Sequence, residues 1–419
     1  MKLNLHLGRR SGGDVVGLDI QPGFVAAVQA RVNGSILAER AAALPLAADT
    51  VRDGEVVDEG ALGDVQRELF SGSGLSKHVR VGVANQRTVL RTLELPPVTD
   101  RKELAAAVSF QAQDQVPMPL NNAVLDFHPL GIVDTPAGPR QRVVLVAAQR
   151  DMIERLLTAV RGAGLSPEGV DLSAFALIRS LYRPEAEQAG RVLYLNVDGL
   201  TNLAIAEGTV CRFTRVVGSG LEGLASELAI RRGIALTEAR ALLATVDLSA
   251  PPAGGPDVSV PEAPAPAEAT PAPPVADADP DEGHEEHEDQ EGHEDQEARE
   301  RAMSYEELAA VEYAPAPAPE TPSDADVWEV LETGIRELSG EVRNSLDFHR
   351  SQEGGGEVSH VVLSGAAQDI PGFADALQSS LGVEVQSKSV GLVDESLADT
   401  VSTHRLAVAA GLAATETPQ

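Results

Sequence analysis

Residues 15–40 read VVGLDIQPGFVAAVQARVNGSILAER, in which three apolar runs are separated by short turns that contain glycine. The same order returns at residues 192–217, which read VLYLNVDGLTNLAIAEGTVCRFTRVV. Apolar runs of this length that end at turns such as NG and EG predict strands joined by tight hairpins. Each stretch is therefore predicted to form a three-stranded meander whose first turn carries an acidic residue.

Both meanders are followed by stretches with helical periodicity, so two similar α/β units follow each other along the chain. A repeat of this kind predicts a duplicated fold with a cleft between its halves. Residues 86–166, between the meanders, show a different order: a strand, a helix, two strands and an amphipathic helix. We expect this module to form a small sheet that is covered by two helices.

Acidic residues are concentrated in one segment of the chain. The formal net charge is -31, and residues 249–323 hold 20 Asp or Glu against two arginines, between Pro-Ala runs. Such a segment buries too little apolar surface to offset its ordering entropy and is predicted to be a disordered insertion. The charge argues against nucleic acid as a partner, because displacing counterions requires a basic face. No run approaches the roughly 20 apolar residues of a bilayer span, so direct membrane insertion is not expected.

Several stretches together, in this order and spacing, resemble the PilM family of type IV pilus assembly proteins, which are relatives of FtsA in the actin and sugar-kinase superfamily. Besides the start of the first meander they include LELPPVTDRKELAAAVSFQAQDQVPMPL at 93–120, TNLAIAEGTVCRFTRV at 201–216 and VVLSGAAQDIPGFADAL at 361–377. The resemblance covers nearly all of the chain outside the acidic segment.

The resemblance implies a duplicated α/β fold of the actin-like, ribonuclease H-like type, with an SHS2-like α+β subdomain inserted in the first half. The disordered acidic and Pro-rich insertion, which composition predicts, then interrupts the second half. The expected boundaries are 14–85 with 167–191 for the first half, 86–166 for the subdomain, 192–248 with 324–416 for the second half, and 249–323 for the insertion.

A function follows from the same resemblance. The family works as a scaffold at the cytoplasmic face of the inner membrane, where it binds the N-terminal cytoplasmic peptide of the membrane protein PilN. A PilN-like protein is therefore the expected partner, and it would link the chain indirectly to the pilus assembly motor. Self-association is a further expectation.

The resemblance also implies a nucleotide site in the cleft. In this superfamily the first turn of each meander faces nucleotide phosphates, because glycine turns let backbone N–H groups approach an anion while a carboxylate positions magnesium. The matching positions are Asp19 and Gly23 in the first turn, Asn196, Asp198, Gly199, Thr201 and Asn202 in the second turn, and Gly220, Glu222, Ser364, Gly365 and Ala366 on the adenosine side. Asp19 and Asp198 would be the metal-binding pair.

Three positions depart from the family pattern. Gln21 replaces the usual glycine of the first turn, Ala26 stands where many members have lysine, and Asn196 replaces an aspartate. The resemblance therefore implies that ATP and magnesium bind weakly at most, and we expect no catalytic residue.

Alternative functions stay open. An active actin-like ATPase or a small-molecule kinase would use the same cleft, but a kinase needs a general base, and the sequence offers no unambiguous candidate. An FtsA-like division anchor would need an amphipathic C-terminal membrane helix. Residues 405–419, RLAVAAGLAATETPQ, have no basic or aromatic membrane face.

Overall fold

The computed structural model describes residues 15–136, 138–184, 190–250, 324–352 and 354–414. The predicted insertion, 249–323, lies outside the described residues except for its first two positions. The strands in chain order are β1 (Val16–Gln21), β2 (Phe24–Val32), β3 (Ile36–Pro45), β4 (Val51–Arg52), β5 (Glu55–Val56), β6 (His78–Val83), β7 (Val89–Leu95), β8 (Ala123–Thr135), β9 (Gly138–Gln149), β10 (Ser166–Leu172), β11 (Arg191–Val197), β12 (Thr201–Glu207), β13 (Val210–Val217), β14 (Val358–Ser364), β15 (Val385–Ser387) and β16 (Gly391–Leu392). The helices are α1 (Glu59–Phe70), α2 (Arg101–Gln115), α3 (Arg150–Gly162), α4 (Ser173–Leu181), α5 (Leu221–Arg232), α6 (Leu236–Thr245), α7 (Asp324–Ser351), α8 (Phe373–Leu381) and α9 (Ala407–Ala413).

Two sheets repeat one topology. The first has the order β10-β6-β1-β2-β3-β16, and the second has the order β13-β12-β11-β14-β15. In each, the meander strands pair antiparallel, and the first meander strand also pairs in parallel with a strand that comes later in the chain. The two predicted meanders and the duplicated α/β fold are confirmed.

Helices cover these sheets according to their apolar faces. α1 and α3 pack on one face of the first sheet, where Leu62, Ile153 and Leu157 are fully buried. α5, α6, α7 and α8 pack on the outer face of the second sheet. α4 lies in a core that receives side chains from both sheets, including Ile36 and Tyr194. The two sheets therefore share one continuous central core.

Helix α9 lies between the first sheet and α4, although the sequence assigns it to the predicted second half. Its approach to both neighbours requires glycine. A Cβ atom on Gly17 of β1 would lie 1.8 Å from the carbonyl oxygen of Ala409, and one on Gly411 would lie 1.9 Å from that of Ala176. The end of the described chain is thus packed directly against its first strand.

Two buried arginines hold the carboxyl end of α9. Arg80 Nη1 donates to the carbonyl of Leu412 at 2.7 Å, and Arg179 Nη1 donates to that of Gly411 at 2.5 Å. Arg179 also forms a buried ion pair with Asp171 at 2.8 Å. Because the last carbonyls of a helix lack partners within it, these cations satisfy them and complement the helix dipole.

The inserted module forms a three-stranded sheet in the order β7-β9-β8, with α2 on one face. The prediction that two helices cover this sheet is wrong. α3, the second helix of the module, buries Met152, Ile153 and Leu157 in the core of the first sheet instead. The strongly amphipathic pattern of α3 showed that it has a buried face, but it did not show which sheet receives that face.

We expect Gly411→Ala to destabilise the protein by about 3 kcal/mol or more, because the new methyl group meets helix backbone that has no room to move. Gly340→Ala is the matched control, since no neighbouring atom lies within 4 Å of a Cβ at that helical position. The control should stabilise the protein by roughly 0.5–1 kcal/mol, because alanine favours the helix. Urea unfolding of both variants measures the two changes, and an unchanged midpoint for Gly411→Ala would contradict the packing of α9.

Candidate functional site

The first turns of the two meanders touch each other. The β1–β2 turn holds Pro22 and Gly23, and the β11–β12 turn holds Asp198 and Gly199. A Cβ atom on Gly199 would lie 2.0 Å from the carbonyl oxygen of Pro22. Glycine is therefore required at 199, and the two turns are in direct backbone contact.

Two further glycines bring neighbouring backbone into the same place. Gly220, which precedes α5, could not carry a Cβ because the carbonyl oxygen of Gly199 would be 2.4 Å away. Gly365, which follows β14, has φ +93 and lies against Val197 in the same way. Four chain segments from distant parts of the sequence thus converge on the end of β11.

Asp19 is buried beside this junction, and no Lys, Arg or His side chain in the described part of the chain forms an ion pair with it. The carboxyl group is 1% exposed, accepts a hydrogen bond from Gln21 Nε2 at 3.1 Å, and has no partner for Oδ2 among the described residues. Burial and, next, the charge of Asp198 raise its pKa to about 7. Ala26, directly across the strand pair, contributes no counter-charge.

Asp198 has a structural role in the junction. Its Oδ1 accepts the N–H of Ala366 at 2.8 Å, and its Oδ2 accepts Asn196 Nδ2 at 2.9 Å. Burial raises the pKa of Asp198, while the positive charge of Arg405 and these hydrogen bonds oppose the rise. This carboxylate therefore ties the second turn to the segment after β14.

A cavity of about 360 Å³ opens beside the two turns. Its apolar walls include Phe24, Leu243 and Ile370. Arg405 extends over the ring of Phe24, with the guanidinium carbon 5.1 Å from the ring centroid. Arg240 reaches the cavity from α6, where it forms a two-point ion pair with Glu222 of α5. The cavity is thus lined by an apolar surface, two arginines and three carboxylates, those of Asp198, Glu222 and Asp369.

Comparison with known proteins identifies the family. A sequence profile described as "Type IV pilus assembly protein PilM" matches residues 17–241, which is more than half of the chain. The chain belongs to the PilM family. The resemblance seen in the sequence is confirmed.

Of three similar solved structures, the first shows the same fold. A PilM–PilN type IV pilus biogenesis complex is similar with a TM-score of 0.65 and 20% identity, over 96% of this chain and 98% of that chain. The ethanolamine utilization protein EutJ from Carboxydothermus hydrogenoformans has a TM-score of 0.47 and 15% identity, over 97% and 91% of the two chains. MreB5 of Spiroplasma citri bound to AMPPNP has a TM-score of 0.44 and 11% identity, over 95% and 94%. The predicted actin-like fold class is confirmed.

The site residues that the PilM resemblance implies fall into two groups. Five of them line the cavity: Gly23, Asp198, Gly199, Glu222 and Ala366. The others lie outside its lining. Thr201 Oγ1 donates to the carbonyl of Ser219 at 2.6 Å, and Asn202 lines a separate small cavity. Asp19, Asn196, Gly220, Ser364 and Gly365 belong to the strand ends and turns of the junction.

The sequence did not point to Phe24, Arg240 or Arg405, which also line the cavity. Arg240 lies in an ordinary helical pattern, and Arg405 lies at the opposite end of the chain from the first turn. No local motif marks either arginine, because only tertiary packing brings them to the cleft.

ATP fits this site only in part. The volume of the cavity beside the two turns is at the lower end of the roughly 300–1,000 Å³ that ligand pockets span. Its apolar walls suit a nucleobase. The first turns of the two meanders, however, touch each other. A Cβ atom on Gly23 would also lie 2.6 Å from Glu222 Oε2, so a carboxylate lies against the β1–β2 turn. Across the described part of the chain, no group of three or more His, Cys, Asp or Glu could hold a metal ion. Magnesium binding by Asp19 and Asp198 remains a prediction.

We expect Asp19→Asn to stabilise the protein at pH 8 by an amount that disappears toward pH 4. The pKa of Asp19 is raised from 3.8 to about 7, so the protonated carboxyl favours the folded state. The stability that the protonated carboxyl of Asp19 contributes is fully present below about pH 4, and it is lost as pH rises through about 7. A shift of this size corresponds to about 4 kcal/mol as an upper value.

Urea unfolding of the wild type and Asp19→Asn across pH 4–8 measures this difference. Asp114→Asn, the same change at an exposed position of α2, is the control and should leave the pH profile unchanged. Parallel profiles for the wild type and Asp19→Asn would contradict the raised pKa of Asp19.

Proposed function

We propose that this PilM-family chain is a cytoplasmic scaffold of type IV pilus or related secretion-system assembly. It binds the N-terminal cytoplasmic peptide of a PilN-like inner-membrane protein, and ATP is at most a weak structural or switching ligand. Family membership supports the assembly role. The contact between the β1–β2 turn and the β11–β12 turn is the observation that favours a scaffold over an enzyme.

The charges in the cleft also oppose tight nucleotide binding. Three carboxylates line the cavity with two arginines, one of which is already paired with Glu222. Ala26 leaves Asp19 without the cation that many family members have at that position. Loss of one charged phosphate contact typically removes about 1.5–3 kcal/mol, which is roughly a tenfold to hundredfold weaker affinity.

We expect calorimetry with ATP and magnesium to give a dissociation constant above about 100 μM, and phosphate release to stay at background. The physical reason is that backbone N–H groups must reach the phosphates, whereas the turns are closed and Glu222 repels the anion. Asp19→Ala serves as the site control. Submicromolar binding that this variant abolishes, together with turnover, would establish the ATPase alternative.

The small sheet offers the surface for the peptide. The similar structure is described as a PilM–PilN complex and covers nearly the whole chain, which supports a PilN-like partner. On the inserted module, Phe110 of α2 is 75% exposed and Ile132 of β8 is 63% exposed. β8 is also an edge strand among the described strands, so its outer edge can pair with an extended peptide. We place the peptide along residues 86–166, on the side of α2 and β8.

Hydrogen exchange with a PilN-like N-terminal peptide should protect amides within residues 101–135. A scrambled peptide of the same composition is the control, and Phe110→Ser should weaken binding by about tenfold because it removes an exposed anchor. Protection confined to residues 325–414 would contradict this placement.

In the described ranges, no helix combines the length and the hydropathy needed to cross a bilayer. Placement at the inner membrane and the link to the assembly motor would then both come through the PilN-like partner. α9 itself is not available as an FtsA-like membrane anchor, because it is buried between the first sheet and α4.

A further inference from the structure

A long groove separates the inserted sheet from the second sheet. It consists of two cavities of about 860 Å³ and 710 Å³, which share Gln86, Thr88 and Thr214. β7 forms one wall, β13 forms the other, and the carboxyl-terminal part of α7 closes one side. The groove is distinct from the cavity beside the first turns of the two meanders, and it is distinct from the exposed surface of α2 and β8.

β13 turns its backbone edge toward this groove. Side chains alternate between the two faces of a strand, so a run of consecutive residues can line one cavity only where the strand edge faces it. Residues 212–217 of β13 line the groove without interruption. Among the described strands β13 pairs only with β12, so its outer N–H and C=O groups are available to another strand.

Polar side chains around the groove have atoms without partners. His349 of α7 is 3% exposed, lines the larger cavity, and neither of its ring nitrogens has a hydrogen-bond partner in the described part of the chain. The hydroxyl groups of Thr88 and Ser219 are likewise buried and unpartnered, and both residues line the smaller cavity. Buried polar atoms of this kind normally have partners, and a polar ligand in the groove would supply them.

The larger cavity is basic, although the chain as a whole has a net charge of -31. Its lining holds four arginines, Arg91, Arg142, Arg191 and Arg212, against Glu94, which pairs with Arg142, and Glu207, which pairs with Arg191 and Arg212. The smaller cavity holds Arg215 with Glu337 and Glu341, so the basic surface is confined to the larger cavity. The guanidinium of Arg91 donates to the carbonyl of Leu90, and no described carboxylate forms an ion pair with it. A ligand with carboxylate side chains would be complementary to this wall.

We propose that this groove binds an extended, acidic peptide segment of a partner protein. The segment pairs with the free edge of β13 and places a carboxylate near Arg91, which forms no ion pair with a described carboxylate. This inference is independent of the PilN-like peptide and of nucleotide binding.

The test uses the full chain and a fluorescent peptide in which valine and glutamate alternate four times. Anisotropy should show binding below about 1 mM, with protection of amides 212–217 in hydrogen exchange. Arg91→Glu should weaken the binding about tenfold or more, because a repulsive charge replaces an attractive one. Arg336→Glu is the matched control, since Arg336 is exposed on α7, outside the lining, and pairs with Glu332.

Two modified peptides separate the contributions. Lysine in place of glutamate should remove binding, and alternate N-methylation of the acidic peptide should remove it as well, because the methyl groups block strand pairing. The proposal is overturned by equal binding of either modified peptide, by no binding at 1 mM, or by protection outside residues 212–217. The proposal is also overturned if the wild type forms a dimer that Arg91→Glu dissociates, since a second copy of the chain would then occupy the groove.

Discussion

The buried contact of α9 with Arg80 and Arg179 is the interaction on which the remaining architecture depends. Removing two guanidinium groups from water is costly unless hydrogen bonds and a counter-charge compensate for it. Here the last carbonyls of α9 accept from both arginines, and Asp171 supplies the negative charge. The residues that precede and follow the acidic segment are therefore held on one central core, and the turn after β14 is held at a fixed distance from the turn after β1.

The junction of the turns follows from that arrangement. With β1 fixed by α9, and β11 fixed by its pairing with β14, the two meander turns meet at van der Waals distance. Only glycine permits this approach at 199, 220 and 365. The cleft is thus stabilised by backbone packing and by the hydrogen bonds of Asp198.

The sequence was sufficient for features that local patterns encode. Alternating apolar runs and glycine turns predicted both meanders, and their repetition predicted the duplicated fold. Contacts between distant segments were not accessible in the same way. The apolar face of α3 fits either neighbouring sheet by periodicity alone, and the small residues of α9 conform to many environments. Arg240 and Arg405 reach the cavity only because α6 and the segment before α9 pack there, so no motif in the sequence could reveal them.

Asp19 connects the architecture to the chemistry of the cleft. A buried carboxylate needs a cation, a proton or several hydrogen bonds. Among the described side chains Gln21 donates to Asp19, and burial together with the charge of Asp198 raises the pKa of Asp19 to about 7. A catalytic phosphate site instead keeps this charge ionised, so that it orients a metal ion during transfer. Ala26 leaves this carboxyl without a counter-charge across the strand pair, which favours its protonated form, whereas the hydrogen bond from Gln21 favours the ionised form. The two departures from the family pattern thus act on the same group in opposite directions.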